Sequence, residues 1–537
     1  MHLKLALPFK KYLLLFPLLL SCIFLYAQTE PTRTINIVNG ERMRQLQLSD
    51  STTLITLAGN AIVKQDNSTI SADSIAVNQA TGIAECFGNV HINDADSVHT
   101  YAQYLKYIGQ ERIAYLKKKV KLTDGKGTLL TDDMVYNIAS GVGSYANGGK
   151  VVNGNTILTS TDATYFTDTK DVFFKKFVHL TDPQNDIKAD SLRYNTLRKE
   201  AYFIAPTRIV NKNGTVINTK NGIYNLETGQ AEFFDRTSMA DSTFSVTGGR
   251  IAYDEKSGIL QVQDKGKIVD SVNNIIMLGD ELYLNKKENT FLGTRKPVMI
   301  IYRDNDSTYI TADTLFSGVR KYDSTSKNTV VKRDTVNNTI AINTSQKQDT
   351  IRYFLAFHHV KIYNDSLQAA SDSLYYGTED SVFRMYQNPV CWNGNNQVSG
   401  DTMYLFTKNQ KPEQLYVFYN SMVIARENEQ MYNQITGRTL NAYFINGNID
   451  YVRVKGSPAE SIYFPIDDDS AYVGMNRSSG DVIDIYFINK ELNKIKFINA
   501  VDGTLYPLKQ IPPDSKYLKG FHWQDSRRPK NKLDIFE

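Results

Sequence analysis

One two-part motif recurs about every thirty residues along most of this chain, and it constrains the fold more strongly than any other feature. In the first part, an acidic residue follows a small or polar pair and precedes apolar residues at the second and usually the fourth position. This part reads ISADSIAV (70–77), LLTDDMVY (129–136), DIKADSLRY (186–194), LGDELYL (278–284), ASDSLYY (370–376) and SGDTMYL (399–405). The second part reads FGNVHI (87–92), KKVKL (118–122), FVHL (177–180), KPVMI (296–300), HHVKI (358–362) and NPVCW (388–392). A fixed period is typical of a chain built by stacking one small unit.

The two parts of the motif keep the same period. Asp73 and Asp132 are 59 residues apart, which is two periods, and Asp132 and Asp162 are 30 apart. Val90 and Val120 are also 30 residues apart. Apolar residues two positions apart within each copy, with Gly and Asn between the runs, indicate short half-buried strands and turns. We therefore predict an all-β, elongated, solenoid-like array of about thirteen two-strand repeats of about 30 residues each.

The rhythm divides the chain into segments. Lysines followed by an apolar run that ends in Leu-Tyr-Ala predict an export signal over residues 1–27, cleaved between Ala27 and Gln28. An alternative is lipidation at Cys22, because Leu19-Leu20-Ser21-Cys22 resembles a lipobox. We then expect a polar lead-in over 28–52, the repeat array over 53–460 and a β-rich cap with a basic tail over 461–537. The Ser-, Thr-, Asn- and Lys-rich stretch 318–350 is predicted to be a disordered insertion within the array.

Composition narrows the classes of function. The 61 basic and 57 acidic residues nearly balance and form no long run of one sign, which argues against nucleic acid as a partner. An apolar content of 41% is adequate for folding but low for a multispan membrane protein, and we expect no transmembrane span. Cys86 and Cys391 lie far apart in the array, so we expect buried free thiols rather than a disulfide.

The chain offers no recognisable catalytic or metal-binding constellation. It has no Gly-x-Ser-x-Gly elbow, no phosphate-binding loop and no His-Glu-x-x-His motif, and its seven histidines are scattered. The repeated aspartates could form a carboxylate ladder, but Gln103 and Gly249 occupy the same position in other copies. We interpret them as acids that cap turns beside the strands. We therefore predict a non-enzymatic protein without a metal or another cofactor.

The apolar residues that follow the acids, and those of the second part, are the candidate functional residues. They would form one inner face, which is either a sealed core or a trough open to a ligand. The candidate lining residues are Ile75, Val77, Val90, Ile92, Leu105, Val120, Leu122, Met134, Tyr136, Val178, Leu192, Tyr194, Leu282, Leu284, Val298, Val360, Leu374 and Tyr376.

Alternation of A-D-x-L-x-Y with G-N-V-x-I after an export signal resembles the repeat of the OstA-like family, which is linked to organic-solvent tolerance and lipopolysaccharide transport. The resemblance covers about residues 53–460. It implies a V-shaped β-jellyroll, or β-taco, whose apolar interior holds the acyl chains of lipopolysaccharide or a related glycolipid. It also implies a periplasmic protein, associated with the outer membrane, that joins other transport components edge to edge. The array is much longer than the family's single-module carrier and lacks the strands of its outer-membrane barrel.

Two other classes of function stay open at this point. A structural or adhesive β-solenoid would have a sealed core and no lipid, and a β-helix enzyme acting on polysaccharide would need clustered carboxylates that no repeat shows. The first strand of the array is a separate candidate site. Its residues Thr53, Ile55 and Leu57 would present unpaired backbone groups to a partner strand, unless the lead-in covers them.

Overall fold

The computed structural model describes residues 34–49, 52–302, 307–322, 349–365, 367–408, 411–467, 471–489 and 491–536. The export signal with Ala27, Gln28 and Cys22 lies outside these residues, as does 323–348 of the expected insertion. The flanks of that insertion, 318–322 and 349–350, lie in paired strands. Antiparallel strands make up most of the described chain, and its few helices are single 3-10 turns, which confirms the predicted all-β class.

The chain divides into two compact units, one up to Lys176 and one from Phe177 onward. The strands of the first unit are β1 (Asn36–Asn39), β2 (Arg42–Ser49), β3 (Thr52–Gln65), β4 (Ser68–Asn78), β5 (Ile83–Asp94), β6 (Val98–Ile108), β7 (Ile113–Thr123), β8 (Thr128–Asn137), β9 (Val142–Tyr145), β10 (Gly149–Asn153), β11 (Thr156–Ser160) and β12 (Asp162–Phe166). The next strand, β13 (Asp171–Thr181), contains the last residues of the first unit and the first residues of the second.

The second unit continues with many short strands and ends with long ones. They are β14 (Asn185–Asn195), β15 (Glu200–Phe203), β16 (Thr207–Asn211), β17 (Val216–Thr219), β18 (Gly222–Asn225), β19 (Gln230–Phe233), β20 (Thr237–Ala240), β21 (Phe244–Gly248), β22 (Arg250–Asp254), β23 (Ile259–Asp270), β24 (Ile275–Asn285), β25 (Thr290–Gly293), β26 (Val298–Tyr302), β27 (Ser307–Thr311), β28 (Thr314–Tyr322), β29 (Asp349–Tyr363), β30 (Gln368–Gly377), β31 (Val382–Tyr386), β32 (Val390–Asn393), β33 (Asn396–Ser399), β34 (Thr402–Lys408), β35 (Lys411–Arg426), β36 (Tyr432–Ile445), β37 (Asn448–Tyr463), β38 (Gly474–Ile488), β39 (Glu491–Ile498) and β40 (Asp502–Pro507).

Each long strand contributes to two walls. In β5, residues before the bend pair with β4 from Ser74 onward, and residues after the bend pair with β4 up to Ser71. The register shifts at the bend, so each strand is interrupted there. In strands such as β5, we call the residues before the bend wall A and the residues after it wall B. A neighbouring strand is assigned in the same way: its residues that pair with wall A belong to wall A, and those that pair with wall B belong to wall B. The assignment is made within each unit.

A pair of residues with left-handed backbone marks the bend. Gly88 and Asn89 have φ of 71° and 43°, and Lys118 and Lys119 in the next copy have φ of 64° and 52°. In the second unit the same pairs are Asp264–Lys265, Arg295–Lys296, His358–His359, Gln387–Asn388, Tyr419–Asn420 and Asn499–Ala500. Where the sequence motif identifies a second part, as at Gly88–Asn89, Lys118–Lys119 and His358–His359, the pair comes directly before its valine, so the motif marks where the strand changes wall.

The repeated acids bind these bends. Asp73 accepts hydrogen bonds from Asn89 Nδ2 at 3.2 and 3.1 Å, and Asp132 accepts one from the backbone N–H of Lys119 at 3.4 Å. The imidazole of His358 lies 3.2 Å from a carboxylate oxygen of Asp372. These three acids therefore cap turns, as the substitution of other copies by Gln103 and Gly249 suggested, and each ties the left-handed backbone of a bend to the neighbouring strand.

The lead-in contains strands of the sheet. β1 pairs with the wall B half of β3, and β2 pairs with its wall A half. Glu41, between β1 and β2, accepts a hydrogen bond from Asn60 Nδ2 at 2.8 Å and thus takes the place of the repeated aspartate. Ile55 and Leu57 are consequently paired on both sides and buried, and Thr53 pairs with Gln47 while its carbonyl accepts a hydrogen bond from the Gln79 N–H at 3.2 Å. The expectation that they form an open edge was wrong.

The edge strand of the first unit is β2, for which β3 is the partner among the described residues. Every residue of β2 is exposed, including Met43, Leu46 and Leu48 at 58%, 46% and 55%. An exposed strand with apolar side chains and an unpaired side is a site for strand addition.

The segment expected as a C-terminal cap has two parts. β38 pairs with β37 over both walls, and β39 and β40 pair with its two halves, so 461–507 continues the bent sheet. The chain from Leu508 then turns back along the second unit. Leu518 joins a buried cluster with Ile424 and Met475, and Gln397 binds the tail through the carbonyl of His522 and the amide of Gln524.

We predict that Gly88→Ala destabilises the strands β4 to β6. An added Cβ at Gly88 would lie 2.2 Å from Asp73 Oδ2, and the left-handed backbone there disfavours any side chain. The matched control is Gly125→Ala, whose φ of 78° is similar but whose Cβ would meet nothing within 4 Å. Both should lose about 1–2 kcal/mol for the backbone, and Gly88→Ala should lose more. Hydrogen exchange of β4–β6 amides measures this, and equal protection in both variants would contradict the role of the bend.

Candidate functional site

The candidate site is the interior between wall A and wall B of each unit. Of the predicted lining residues, all but Tyr376 are at most 3% exposed, and all but Val298 lie on the strand faces that point inward. Tyr376 is half-buried and packs against Phe383, with the ring centroids 4.3 Å apart. The apolar positions that the motif identifies are thus brought together, strand after strand, in one interior per unit.

Val298 lies on the other face of its strand. It pairs with Leu278, whereas Met299 pairs with the buried Met277. The bend at Arg295–Lys296 comes one residue earlier than the alignment on valine assumes, so Pro297 takes the position that Val90 has in its own copy. Because successive side chains of a strand alternate between faces, this shift of one residue moves Val298 out of the interior.

The inward faces of the two walls touch each other. A Cβ on Gly143 of wall A would lie 3.4 Å from Leu122 Cδ1 of wall B, which is ordinary van der Waals contact, so the gap between the faces there would hold a methyl group and nothing larger. Leu105, Leu122 and Tyr194 are 0% exposed. The interior is therefore packed and dry, and the structure does not contain an open trough lined by these residues.

The walls are joined differently at their two long sides. At the bends, every long strand runs from one wall into the other as continuous backbone. At the opposite side, which we call the mouth, the hairpin turns of wall A meet those of wall B. Side chains close the mouth in the described part of each unit, and a regular set of tyrosines makes the first layer of contacts.

These tyrosines reach from wall A to the ends of wall B strands. Tyr107 donates a hydrogen bond to Gln65 Oε1 at 2.5 Å, and Tyr136 donates one to Asp94 Oδ2 at 3.1 Å. In the second unit, Tyr224 contacts Asn185 Oδ1 at 3.3 Å. Burial raises the pKa of Tyr107 to about 12, so this hydroxyl stays a hydrogen-bond donor at neutral pH.

Pairs of opposite charge form a second layer at the mouth. Lys170 Nζ lies 2.7 Å from Asp124 Oδ2, and the Asp124 side chain is 0% exposed. Arg112 Nε lies 3.9 Å from Asp66 Oδ2. In the second unit, Lys286 pairs with Asp241. In each pair the acid comes from a wall B turn and the cation from a wall A turn.

The Asp241 carboxyl is strongly acidic because of its partners. Burial works against its charge, but hydrogen bonds from Lys286 and from the N–H groups of Thr243 and Phe244 outweigh that effect. Together they lower the pKa of Asp241 from 3.8 to about 2. Asp124 behaves similarly, because the Gly127 N–H and Lys170 hold its pKa below the ordinary value despite its burial. Both carboxyl groups are therefore ionised at neutral pH.

The sequence motif does not reveal the mouth. The acids and cations of a pair belong to different copies of the repeat, and a pattern read within one copy cannot join them. One signal is present, since the position of Val77 holds a tyrosine in several copies, including Tyr107, Tyr136 and Tyr194. A hydroxyl placed regularly at the end of an apolar face indicates a partner there.

Other candidate chemistry in the structure is sparse. Cys86 and Cys391 are buried and free, and burial raises the pKa of both thiols to about 12. Within the described residues, no group of three or more His, Cys, Asp or Glu side chains is placed to hold a metal ion. No helix in the described ranges has the length and hydrophobicity needed to cross a membrane.

Comparison with known proteins identifies the first part of the chain. Residues 35–190 and 180–249 match a family model described as OstA-like protein. The match includes the strands from β1 to β21 and therefore begins at the lead-in strand rather than at residue 53. It confirms the resemblance over this part of the chain. No curated protein matches the chain.

We predict that the Asp241–Lys286 pair loses its stabilising effect in acid. The folded-state pKa of Asp241 lies below its ordinary value of 3.8, so the pair contributes stability above that value and loses it as pH falls toward about 2. Asp241→Asn should lower the denaturant midpoint at pH 6, and the difference from the parent protein should shrink between pH 4 and about 2. Asp190→Asn, at an exposed position, is the control. A difference that is independent of pH would contradict the assignment.

Proposed function

We propose, for a chain that is OstA-like over residues 35–249, that the protein binds a glycolipid of the lipopolysaccharide class and takes part in outer membrane assembly. The OstA-like family is a transport and binding family of the cell envelope, associated with lipopolysaccharide, and this supports a periplasmic, non-enzymatic role. The acyl chains would lie between the two walls.

One observation supports this proposal most directly. The interior is apolar from strand to strand, and it is closed by backbone at the bends but by side chains at the mouth. Walls joined in this way can separate at the mouth without breaking any strand pairing. An acyl chain that enters there would replace contacts between Leu, Ile, Val and Tyr side chains with equivalent contacts to lipid.

The burial of the lining residues favours a second candidate function. A packed interior without a trough also suits a structural or adhesive β-solenoid of the envelope, which binds no lipid. Native mass spectrometry of the protein purified from membranes separates the two, because a bound glycolipid adds a defined mass and a sealed solenoid adds none.

Strand addition at β2 is the proposed route to a partner. β2 is exposed on both faces and, in the described chain, is paired only with β3. A protein that contributes one antiparallel or parallel strand would extend the sheet there and continue the two walls. Other components of lipopolysaccharide transport are the proposed partners.

The proposed lipid binding can be tested by photocrosslinking in living cells. A photoreactive residue at Tyr194 or Leu284, both 0% exposed, should form an adduct with glycolipid because these side chains point into the interior. Arg193 and Tyr283 are the matched controls, since each is the next residue along the same strand and faces outward. Adducts at none of the four positions, or equal adducts at all four, would contradict binding between the walls.

The proposed edge can be tested with charged substitutions. Met43→Lys together with Leu46→Lys should reduce capture of a partner by at least about tenfold, because charges on an edge strand oppose pairing. Ile259→Lys is the control, because Ile259 is 46% exposed but lies in β23, which has strands on both sides. Capture measured by site-specific crosslinking from β2 should be unchanged in the control. An equal reduction in both variants would point to a general loss of stability instead.

A further inference from the structure

The charge pairs at the mouth recur at a constant separation along the chain. Arg112 follows Asp66 by 46 residues, Lys170 follows Asp124 by 46, and Lys286 follows Asp241 by 45. The members of each pair therefore occupy equivalent positions of the repeat, the acid in a wall B turn and the cation in a wall A turn. Neither the repeat motif nor the family match assigns a role to these cations, two of which lie at the mouth of the first unit and one at the mouth of the second.

The cations lie directly beside the apolar interior. The Lys286 ammonium is 6.0 Å from the centre of the Phe244 ring, and Phe244 is 5.7 Å from Phe291, which is 2% exposed. Asp124, the partner of Lys170, also accepts a hydrogen bond from Tyr165, whose ring is buried. A molecule that contacts both the cations and the apolar interior must carry an anionic group next to an apolar chain.

Arg112 provides an independent indication. Its Nε is buried and makes no hydrogen bond within the described part of the chain, because the Asp66 carboxylate stays 3.9 Å away. Another nitrogen of the same guanidinium donates to Ser68 Oγ at 3.3 Å. A buried guanidinium N–H without an acceptor costs free energy, and a phosphate oxygen is the acceptor that a guanidinium binds best.

We propose that Arg112, Lys170 and Lys286 bind the phosphate groups of an anionic lipid, and that Asp66, Asp124 and Asp241 occupy these cations when no lipid is bound. The phosphate of an entering lipid displaces the carboxylate, and the mouth opens at that copy of the repeat. The carboxylate moves into water, where it is fully solvated. This inference rests on the proposed lipid binding and adds the chemical class of headgroup and the residues that select it.

A neutral lipid has no phosphate that could take the place of the carboxylate at the cation. Its headgroup cannot replace the carboxylate, so opening the mouth would leave the cation without a partner beside the apolar interior, which is unfavourable. The charge pairs thus select for phosphorylated lipids and also keep the interior closed to neutral ones. Once a carboxylate has been displaced into water, it no longer competes with the lipid phosphate for the cation.

The test uses the full chain with a photoreactive residue at Leu284, titrated with phosphatidic acid or with diacylglycerol of the same acyl chains in detergent micelles. Adduct mass and the half-saturating lipid concentration are the readouts. We expect phosphatidic acid to be preferred, Lys286→Gln to weaken its binding about tenfold, and diacylglycerol to bind that variant at least as well as the parent protein, because opening no longer leaves a cation unpaired. Lys287→Gln is the matched control, because Lys287 is the next residue of the same turn and binds the backbone carbonyl of Lys256.

A conservative variant guards against loss of folding. Lys286→Arg keeps the cation and leaves Asp241 with its hydrogen bonds from the Thr243 and Phe244 N–H groups, so it should retain the preference for phosphatidic acid. Inorganic phosphate at a matched concentration should not compete. Competition by phosphate would show a site for the free anion and overturn the assignment to lipid.

The remaining outcomes separate this inference from the proposed function. If both lipids bind equally, and Lys286→Gln behaves like Lys287→Gln, the interior binds lipid but the cations do not select it, and the inference is wrong. If neither lipid forms an adduct in any variant, the proposed lipid binding fails and the inference fails with it.

Discussion

The bend in each long strand is the constraint on which the rest of the structure depends. Two consecutive residues in the left-handed region turn the strand so that one half lies in wall A and the other in wall B. Without that turn, the repeat would form a single sheet with one apolar face in water. Left-handed backbone is unfavourable for residues such as Lys119 and His358, and the repeated acid that binds the bend offsets part of this cost.

Much of this architecture can be predicted from the sequence, because the period and the apolar pairs are local features. The inward position of Ile75, Leu192 and Leu284 follows from alternation within one strand. Val298 shows where such reasoning stops. The position of the bend, not the valine of the motif, determines which residues after it point inward. The bend has no fixed residue type. Gly-Asn, Lys-Lys, Arg-Lys and His-His all occupy it, so its exact position cannot be read from composition.

The edge strand β2 and the mouth could not be predicted from the sequence for a different reason. The lead-in copy has Met43 at the second position after Glu41 but Gln45 at the fourth, and every residue of β2 is exposed, so a pattern defined by burial does not detect this copy. The mouth depends on partners 39 to 46 residues apart, such as Tyr224 with Asn185 and Arg112 with Asp66. Such contacts follow from the antiparallel pairing of bent strands, which becomes visible only once the bend is known.

Two magnitudes decide what can open the packed interior. A polar contact at the mouth is worth about 0.5–1.5 kcal/mol net, whereas each inward side chain loses about 1.5–3 kcal/mol if it is exposed to water. Each copy of the repeat brings several inward side chains and only one or two polar contacts across the mouth, so the apolar faces, not the charge pairs, keep the walls together in water. Separation therefore requires an apolar ligand that fills the space as it forms. A dry interior is then compatible with lipid binding, because the apolar faces exclude water while the charge pairs at the mouth act on the headgroup.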